Sequence, residues 1–388
     1  MNTGRLVFSQ LMDFLPMQDF HRCVARYRGN HKVKSFLCYS QFLCMVFAQL
    51  THRESLRDIE ASLRAVAGKL YHTGFRGQVS RNTLAHANQI RDWRIYRDFA
   101  HRLIEEARSL YADEALAVDL DATAYALDAS TIELCLTLFP WATFKQGHGG
   151  IKLHTLLDLR GNIPTWCVIT DALTHEIRLM DQLVYEAGAY YILDRGYIDF
   201  ARLFRIDRSG AFFVTRIKTN TAYRVVESRP VPVGSGVLED QLIVFTSRPK
   251  CRRYPDQLRR IRYHDAETDR ELVFLTNHLD LDATIIAGLY RSRWQIELFF
   301  RWIKQNLRIK VFYGTSKNAV KTQIWIAISV YVLVAIIKKR LGLTTSLSTM
   351  LQILSVTLFE KKPINQLLTT SLNTDLLVEN PNQLKLFS

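Results

Sequence analysis

Apolar residues recur at intervals of three and four through residues 1 to about 112, in long stretches without Pro or Gly, and this period predicts a run of amphipathic helices. Thr51-His52-Arg53-Glu54 has the form of a capping box that opens a helix over SLRDIEASLRAV. A Gly-containing turn follows, and Ser80 is placed to cap a second helix over RNTLAHANQIRDW. That second helix gathers Arg81, Asn82, Thr83, His86 and Asn88 on a polar face.

From about residue 115 the pattern shortens to β-type runs: AYALDAST, IKLHTLLDL, NIPTWCVIT, AYYILD and AFFVTRIK. Helical stretches lie around 178–188 and 198–208. Hairpin-like strands followed by strands alternating with helices predict an α/β fold with a mixed sheet, and the order suits a ribonuclease-H-like catalytic core. Residues 218–279 interrupt it with Pro, Gly, Arg and β-branched residues and read as a β-rich insertion. One long helix is then expected from about Asp282 to Leu307. The organisation expected is an all-helical N-terminal domain over 1–112, the core over 113–325, and a helical C-terminal region over 326–388. The apolar spacing of LSTMLQILSVTLFE makes that last region a candidate for dimerisation.

The chain has 388 residues, 48% of them hydrophobic, enough for sizeable cores. Its longest apolar run, Ile324 to Ile337, is short for a bilayer span and reads as a buried core helix, so no membrane association is expected. No signal peptide is expected either, and six cysteines without paired spacing read as buried thiols in a reducing cytoplasm. Lys and Arg outnumber Asp and Glu by 51 to 37, a formal charge of +14, which favours a polyanionic partner. The excess is concentrated: residues 1–100 hold 15 basic against 7 acidic residues, and residues 298–359 hold nine basic and no acidic ones. Two basic surfaces suit a long duplex. On that view the polar helix bearing Arg81, Asn82, Thr83, His86 and Asn88 is either the second element of a helix-turn-helix, meeting bases and phosphates, or a solvated helix of a bundle.

The segment LYRSRWQIELFFRWIKQNLRIK is the most specific in the chain. Tyr290, Arg293, Glu297 and Lys304 follow the spacing Y-x2-R-x3-E-x6-K, which on an ideal helix puts all four within a sector of roughly 60°. Ile296, Phe300, Ile303 and Leu307 make an adjacent apolar stripe that can dock the helix on a sheet. Asp194, in YILDRGY, ends an apolar strand just before a Gly-containing turn, where ligands gather in α/β sheets. Asp128, in YALDAST, lies in the first strand, where a carboxylate is costly unless it meets a cation or a donor. Asp119 and Asp121 are its rivals.

LDAST, LDRGY and Y-x2-R-x3-E-x6-K stand in the order of three acidic motifs, and with IELCLTLFPWATF and FFVTRIKTN around them the sequence resembles DDE transposases of the insertion-sequence-four family over nearly its whole length. The resemblance implies that Asp128, Asp194 and Glu297 are catalytic metal ligands. It implies that Tyr290, Arg293 and Lys304 contact transposon-end phosphates; Arg301 on the same helix, with Arg81 and Asn82, is expected to join them. Three carboxylates from distant positions can hold two Mg2+ or Mn2+ ions for in-line displacement at phosphorus, with Arg293 and Lys304 neutralising phosphate charge. The function implied is cut-and-paste transposition: cleavage at the terminal inverted repeats and joining to target DNA, by a homodimer in the bacterial cytoplasm, associated with the nucleoid. The alternatives are a nuclease of the same fold that does not join strands, and an inactive DNA-binding remnant.

Several other residues invite a functional reading of lesser weight. Lys145, Lys152 and His154 could face DNA or be ordinarily solvated, and His148 and His154 lack the remaining ligands of a zinc site. Trp141, Trp294 and Trp302 could stack on a displaced base, although core packing is the commoner use. Arg252, Arg253, Arg259, Arg260 and Arg262 in the insertion could track phosphates.

Overall fold

The computed structural model describes residues 4–145, 148–217, 221–305 and 312–374. The chain divides into two compact units: the described residues of Met1–Leu110 with those of Arg301–Ser388, and those of Tyr111–Phe300. The C-terminal helices therefore complete the N-terminal unit, where the sequence suggested a separate region after residue 325.

In the first unit, the helix Lys317–Arg340 packs against Arg94–Leu110 and Cys38–Leu50. It is long and apolar enough to cross a membrane by length and composition, yet every residue from Thr322 to Ile337 is buried within the protein. It is the core helix that its unbroken apolar run implied. Around it Phe20, Phe42, Tyr96 and Phe99 form an aromatic cluster with ring centroids 5.0–6.3 Å apart. A buried polar network crosses this core: Asn88 accepts from Gln41 at 2.7 Å, and Gln41 accepts from Tyr96 at 2.8 Å and from Arg91 at 3.0 Å.

Two local expectations here need correction. The helix at Leu56–Ala65 is capped by Ser55, which accepts from the Asp58 amide, and not by Thr51. Thr51 closes the preceding helix instead, its hydroxyl donating to the Phe47 carbonyl at 2.7 Å. Ser80 caps Arg81–Ile90 as anticipated, accepting from the Thr83 amide. Between the two helices lie a further helical turn, Ala67–Leu70, and a 3-10 turn, Tyr71–Thr73, so the connection far exceeds the roughly three or four residues of a helix-turn-helix.

The second unit is built on one ten-stranded sheet. Its strands are β1 (Ala124–Leu134), β2 (Thr143–Lys145), β3 (His148–Asp158), β4 (Ile163–Asp171), β5 (Tyr190–Leu193), β6 (Phe212–Arg216), β7 (Tyr223–Ser228), β8 (Val237–Phe245), β9 (Leu258–Asp265) and β10 (Arg270–Thr276). Across the sheet β4, β3 and β1 run antiparallel, and β1, β5 and β6 run parallel. That order and sense, on a mixed sheet with helices, make the core ribonuclease-H-like. The described residues of the 218–279 segment extend the same sheet, since β10 pairs antiparallel with β6 and β9, β8 and β7 follow outward.

Strand alternation divides the side chains between the two faces. Tyr125 and Leu127 of β1, Tyr191 and Leu193 of β5, and Phe213 of β6 pack with Leu203 and Ile206 of the helix Phe200–Arg208 into one apolar core. The intervening positions, including Asp128, face the opposite way.

Candidate active site

β1 and β5 run parallel in the register Ala124↔Tyr190 through Leu127↔Leu193. The next step of that register sets Asp128 beside Asp194, and the period of two turns both toward the same face. Asp194 ends its strand because it caps the Arg195–Tyr197 turn, accepting from the Gly196 amide at 3.3 Å. Asp128 remains in β1, bonded to the Ala129 amide at 2.8 Å. Asp119 and Asp121 precede β1 and are exposed, and Asp121 lies 3.7 Å from Arg160.

The expected single helix from Asp282 to Leu307 is two helices, Ala283–Ser292 and Trp294–Gln305, with Arg293 at the junction. Around it the backbone tightens to the three-residue spacing, Arg293 N–H to Tyr290 C=O at 3.2 Å and Ile296 N–H to Arg293 C=O at 3.1 Å. Ile296, Phe300 and Ile303 are buried as the apolar stripe requires, and Leu307 lies outside the described residues.

Arg293 joins the carboxylates. Its guanidinium donates to Glu297 Oε1 at 2.6 Å and reaches Asp128 Oδ2 at 3.5 Å, while its buried Nε has no partner. It also stands over the Tyr290 ring, 5.9 Å from the centroid. Tyr290 itself is buried and packs on Phe274 of β10 at 5.1 Å, and burial raises its phenol above the ordinary range. Burial likewise lifts the Asp128 carboxyl to about 6; the Ala129 amide and Arg293 oppose this, and the charges of Asp194 and Glu176 add to it.

The donor chemistry of Asp128, Asp194 and Glu297 suits a hard divalent cation, and Asp128 is a half-buried carboxyl whose charged form burial disfavours. Among the described residues, however, no three acidic, His or Cys side chains lie close enough together to hold a metal ion. Arg293 occupies the Glu297 carboxylate. The residues fit a cation in kind once that guanidinium is drawn away.

The remaining expected residues divide by environment. Arg301 is exposed and Lys304 half-buried, further along the Trp294–Gln305 helix. Arg81, Asn82, Thr83 and His86 are exposed, but Asn88 is buried in the polar network and is not available to DNA. His154 is fully buried, its Nε2 bonded to the Thr170 hydroxyl at 2.9 Å, and is not a surface residue. Lys152 pairs with Glu176 at 3.1 Å; the side chains of Lys145 and His148 lie outside the described set. Arg259 is buried against Asp240, and Arg260 and Arg262 both pair with Glu239, so three of the five insertion arginines are committed inside the sheet. Arg252 and Arg253 are exposed. Trp302 packs edge-on to Tyr331 at 4.6 Å, whereas Trp294 is about half exposed.

Residues 119–333, more than half of the chain, match the model of the transposase DDE domain, and residues 3–76 match a domain of unknown function. The chain therefore belongs to the transposase DDE domain family, as a DDE transposase of the insertion-sequence-four type. It is 35% identical over 228 residues to a Sinorhizobium fredii protein named as transposase y4zB, covering 58% of this chain and 64% of that one. It is 31% identical over 209 residues to a Geobacillus stearothermophilus protein named as the transposase for insertion sequence element IS5377, covering 53% and 54%. A Synechocystis protein named for element IS4SA is 23% identical over 305 residues, covering 74% and 81%. The chain thus spans less than two thirds of the first two relatives' lengths. A synaptic complex of piggyBac transposase with hairpin DNA aligns over 98% of this chain and 85% of that one, at 12% identity and a TM-score of 0.46, too slight a likeness to bear on the chemistry.

Proposed function

We propose that this protein transposes DNA: it binds the terminal inverted repeats of its own element, cleaves there in a reaction that requires a divalent metal, and joins the ends to target DNA. The observation that supports this most is the arrangement of Asp128 beside Asp194 with Arg293 linking Asp128 to Glu297. Asp128, Asp194 and Glu297 would hold the cation, Mg2+ or Mn2+ and two ions in the fullest form, which when bound activates the attacking oxygen and stabilises the leaving one.

The chain's own groups divide the remaining work. Arg293 presents a planar fork suited to a phosphate, and transfer of that fork from Glu297 to DNA frees the carboxylate. Lys304 and Arg301 add positive charge along the same helix. Tyr290, buried beneath Arg293, holds the guanidinium by its ring face. Arg81 and Asn82 offer exposed contacts to the duplex from the other unit. Two element ends must be handled together, which favours a homodimer, and action on a bacterial genome implies the cytoplasm and the nucleoid.

The test is incubation with a labelled duplex carrying the inverted repeat that flanks the gene, a supercoiled target plasmid, and either Mg2+ or EDTA. Metal-dependent cuts at the repeat boundary and label joined to the plasmid are expected. Cuts without joining would reduce the protein to a nuclease, and binding without cuts under Mg2+ and Mn2+ would leave a DNA-binding remnant.

A further inference from the structure

We infer that residues 27–35 of the first unit, which join the helices Met17–Arg26 and Cys38–Leu50, dock the sugar-phosphate backbone of DNA through Arg28, Lys32 and Lys34. The inference rests on the reading of the protein as one that acts on DNA, and it assigns a task to the N-terminal domain matched over residues 3–76.

Charge singles out these three side chains. Between Asp19 and Glu54 the chain carries six Lys or Arg residues and no acid. Arg22, Arg26 and Arg53 are met by Asp19, Asp98 and Asp58 at 2.7–3.2 Å. Arg28, Lys32 and Lys34 are exposed and have no ion pair among the described residues. Uncompensated cations so close together attract a polyanion.

The backbone supplies the second, independent observation. The helix Met17–Arg26 ends in a Schellman motif, in which the Gly29 N–H donates to the Val24 carbonyl at 2.9 Å and the Arg28 N–H to the Ala25 carbonyl at 3.1 Å. Its left-handed position, where glycine is usual, is taken by Arg28 at φ +50°. A turn closed by the Val33 N–H on the Asn30 carbonyl at 3.2 Å then sets Lys32 at φ +56°, again a conformation that a β-carbon resists. The helix dipole favours a cation at Arg28, but Lys32 lies beyond that last turn and gains nothing from it. Glycine would relieve both positions, and the chain carries cations instead.

The surroundings hold this loop in place. A β-carbon on Gly29 would come within 2.5 Å of Ile95 and 2.7 Å of Cys38, Asn30 accepts from the Cys38 amide at 2.8 Å, and Tyr27 donates to Asp98 at 2.8 Å. The cations therefore stand on a backbone that is ordered before DNA arrives, so docking costs little beyond the freedom of three side chains. Phosphates are the part of a duplex that such a surface reads, because their spacing repeats whatever the base sequence.

The experiment is binding of the full chain to two labelled duplexes of equal length, one carrying the flanking inverted repeat and one scrambled, by fluorescence anisotropy between about 50 and 200 mM salt, with melting temperatures of the free proteins. Arg28→Gln, Lys32→Gln and Lys34→Gln together are expected to weaken both complexes by the same factor and to reduce the salt slope by about three. Lys32→Gly alone is expected to reduce the slope by about one without lowering the melting temperature, since glycine takes the left-handed conformation freely. Arg64→Gln removes an exposed cation that is already paired with Glu60 and is expected to leave the slope unchanged. An unchanged slope in the triple variant, an equal fall with Arg64→Gln, or a loss confined to the inverted repeat would each overturn this inference while the protein still binds DNA. No binding of either duplex by the unaltered chain would overturn the underlying reading with it.

Discussion

Arg293 donates to Glu297 at 2.6 Å while the same guanidinium reaches Asp128 at 3.5 Å, so one cation already spans two of the three carboxylates assigned to the metal. Residues four apart on a helix are neighbours, so Arg293 pairs with Glu297 across one turn, and its guanidinium also reaches Asp128 within β1. A divalent cation and this guanidinium compete for the same oxygens. Arg293→Gln should therefore bind Mn2+ more tightly than the unaltered chain in the absence of DNA, and the salt slope of its DNA affinity should fall by about one. Calorimetry and binding at several salt concentrations check the two effects; weaker Mn2+ binding would contradict the competition.

The first unit separates two kinds of polar residue on one helix. Asn88 sits in the buried network with Gln41, Tyr96 and Arg91, so Asn88→Ala should lower stability by about 1–3 kcal/mol. Arg81→Ala, at an exposed position, should change stability by no more than about 0.5 kcal/mol and reduce DNA affinity instead. Thermal melts and filter binding on both variants decide between these assignments.

Within the sheet, Arg259 and Asp240 form a buried pair at 2.6 Å. Asp240→Asn should cost about 3–5 kcal/mol in urea unfolding because it leaves a buried guanidinium uncompensated, and a double apolar replacement should recover most of that. DNA affinity at constant fold should not follow the substitution. A loss of affinity with retained stability would return Arg259 to the DNA-contacting set.

His154 supplies a pH dependence. Its imidazole is buried, which lowers its pKa from 6.5 to about 4. Between those values the unfolded chain takes up a proton that the folded chain refuses, so stability falls as pH drops from about 6.5 toward 4, by up to about 3 kcal/mol. Above pH 6.5 the group contributes no slope. His154→Gln, measured by urea unfolding at pH 7.5, 6 and 5, should show a shallower decline than the unaltered chain; an equal decline would assign the acid sensitivity elsewhere.

Much of this was legible in the residues. The alternation in AYALDAST and AYYILD placed the two strands, whereas the parallel pairing that sets Asp128 beside Asp194 is a long-range contact that only the fold supplies. The spacing from Tyr290 to Lys304 found the candidate site's helix but not its break, because a change to three-residue backbone spacing at Arg293 leaves no mark on side-chain period. Helical patterning could not tell an outward Asn88 from one buried by Gln41, since both fit a polar stripe. The arginines of β9 looked like a basic surface because their partners, Asp240 and Glu239, stand on a neighbouring strand about twenty residues away in sequence. Tertiary pairing, not local pattern, decided those positions.

The most direct measurement of the central claim is the rate of nicking at the repeat boundary, on a denaturing gel with Mg2+, for Asp128→Asn, Asp194→Asn, Glu297→Gln and, as a control before β1, Asp121→Asn, each checked for DNA binding. The account predicts that the first three bind the repeat and do not cut, while Asp121→Asn cuts normally. Cutting by Asp128→Asn together with an inactive Asp121→Asn would contradict the site assigned here.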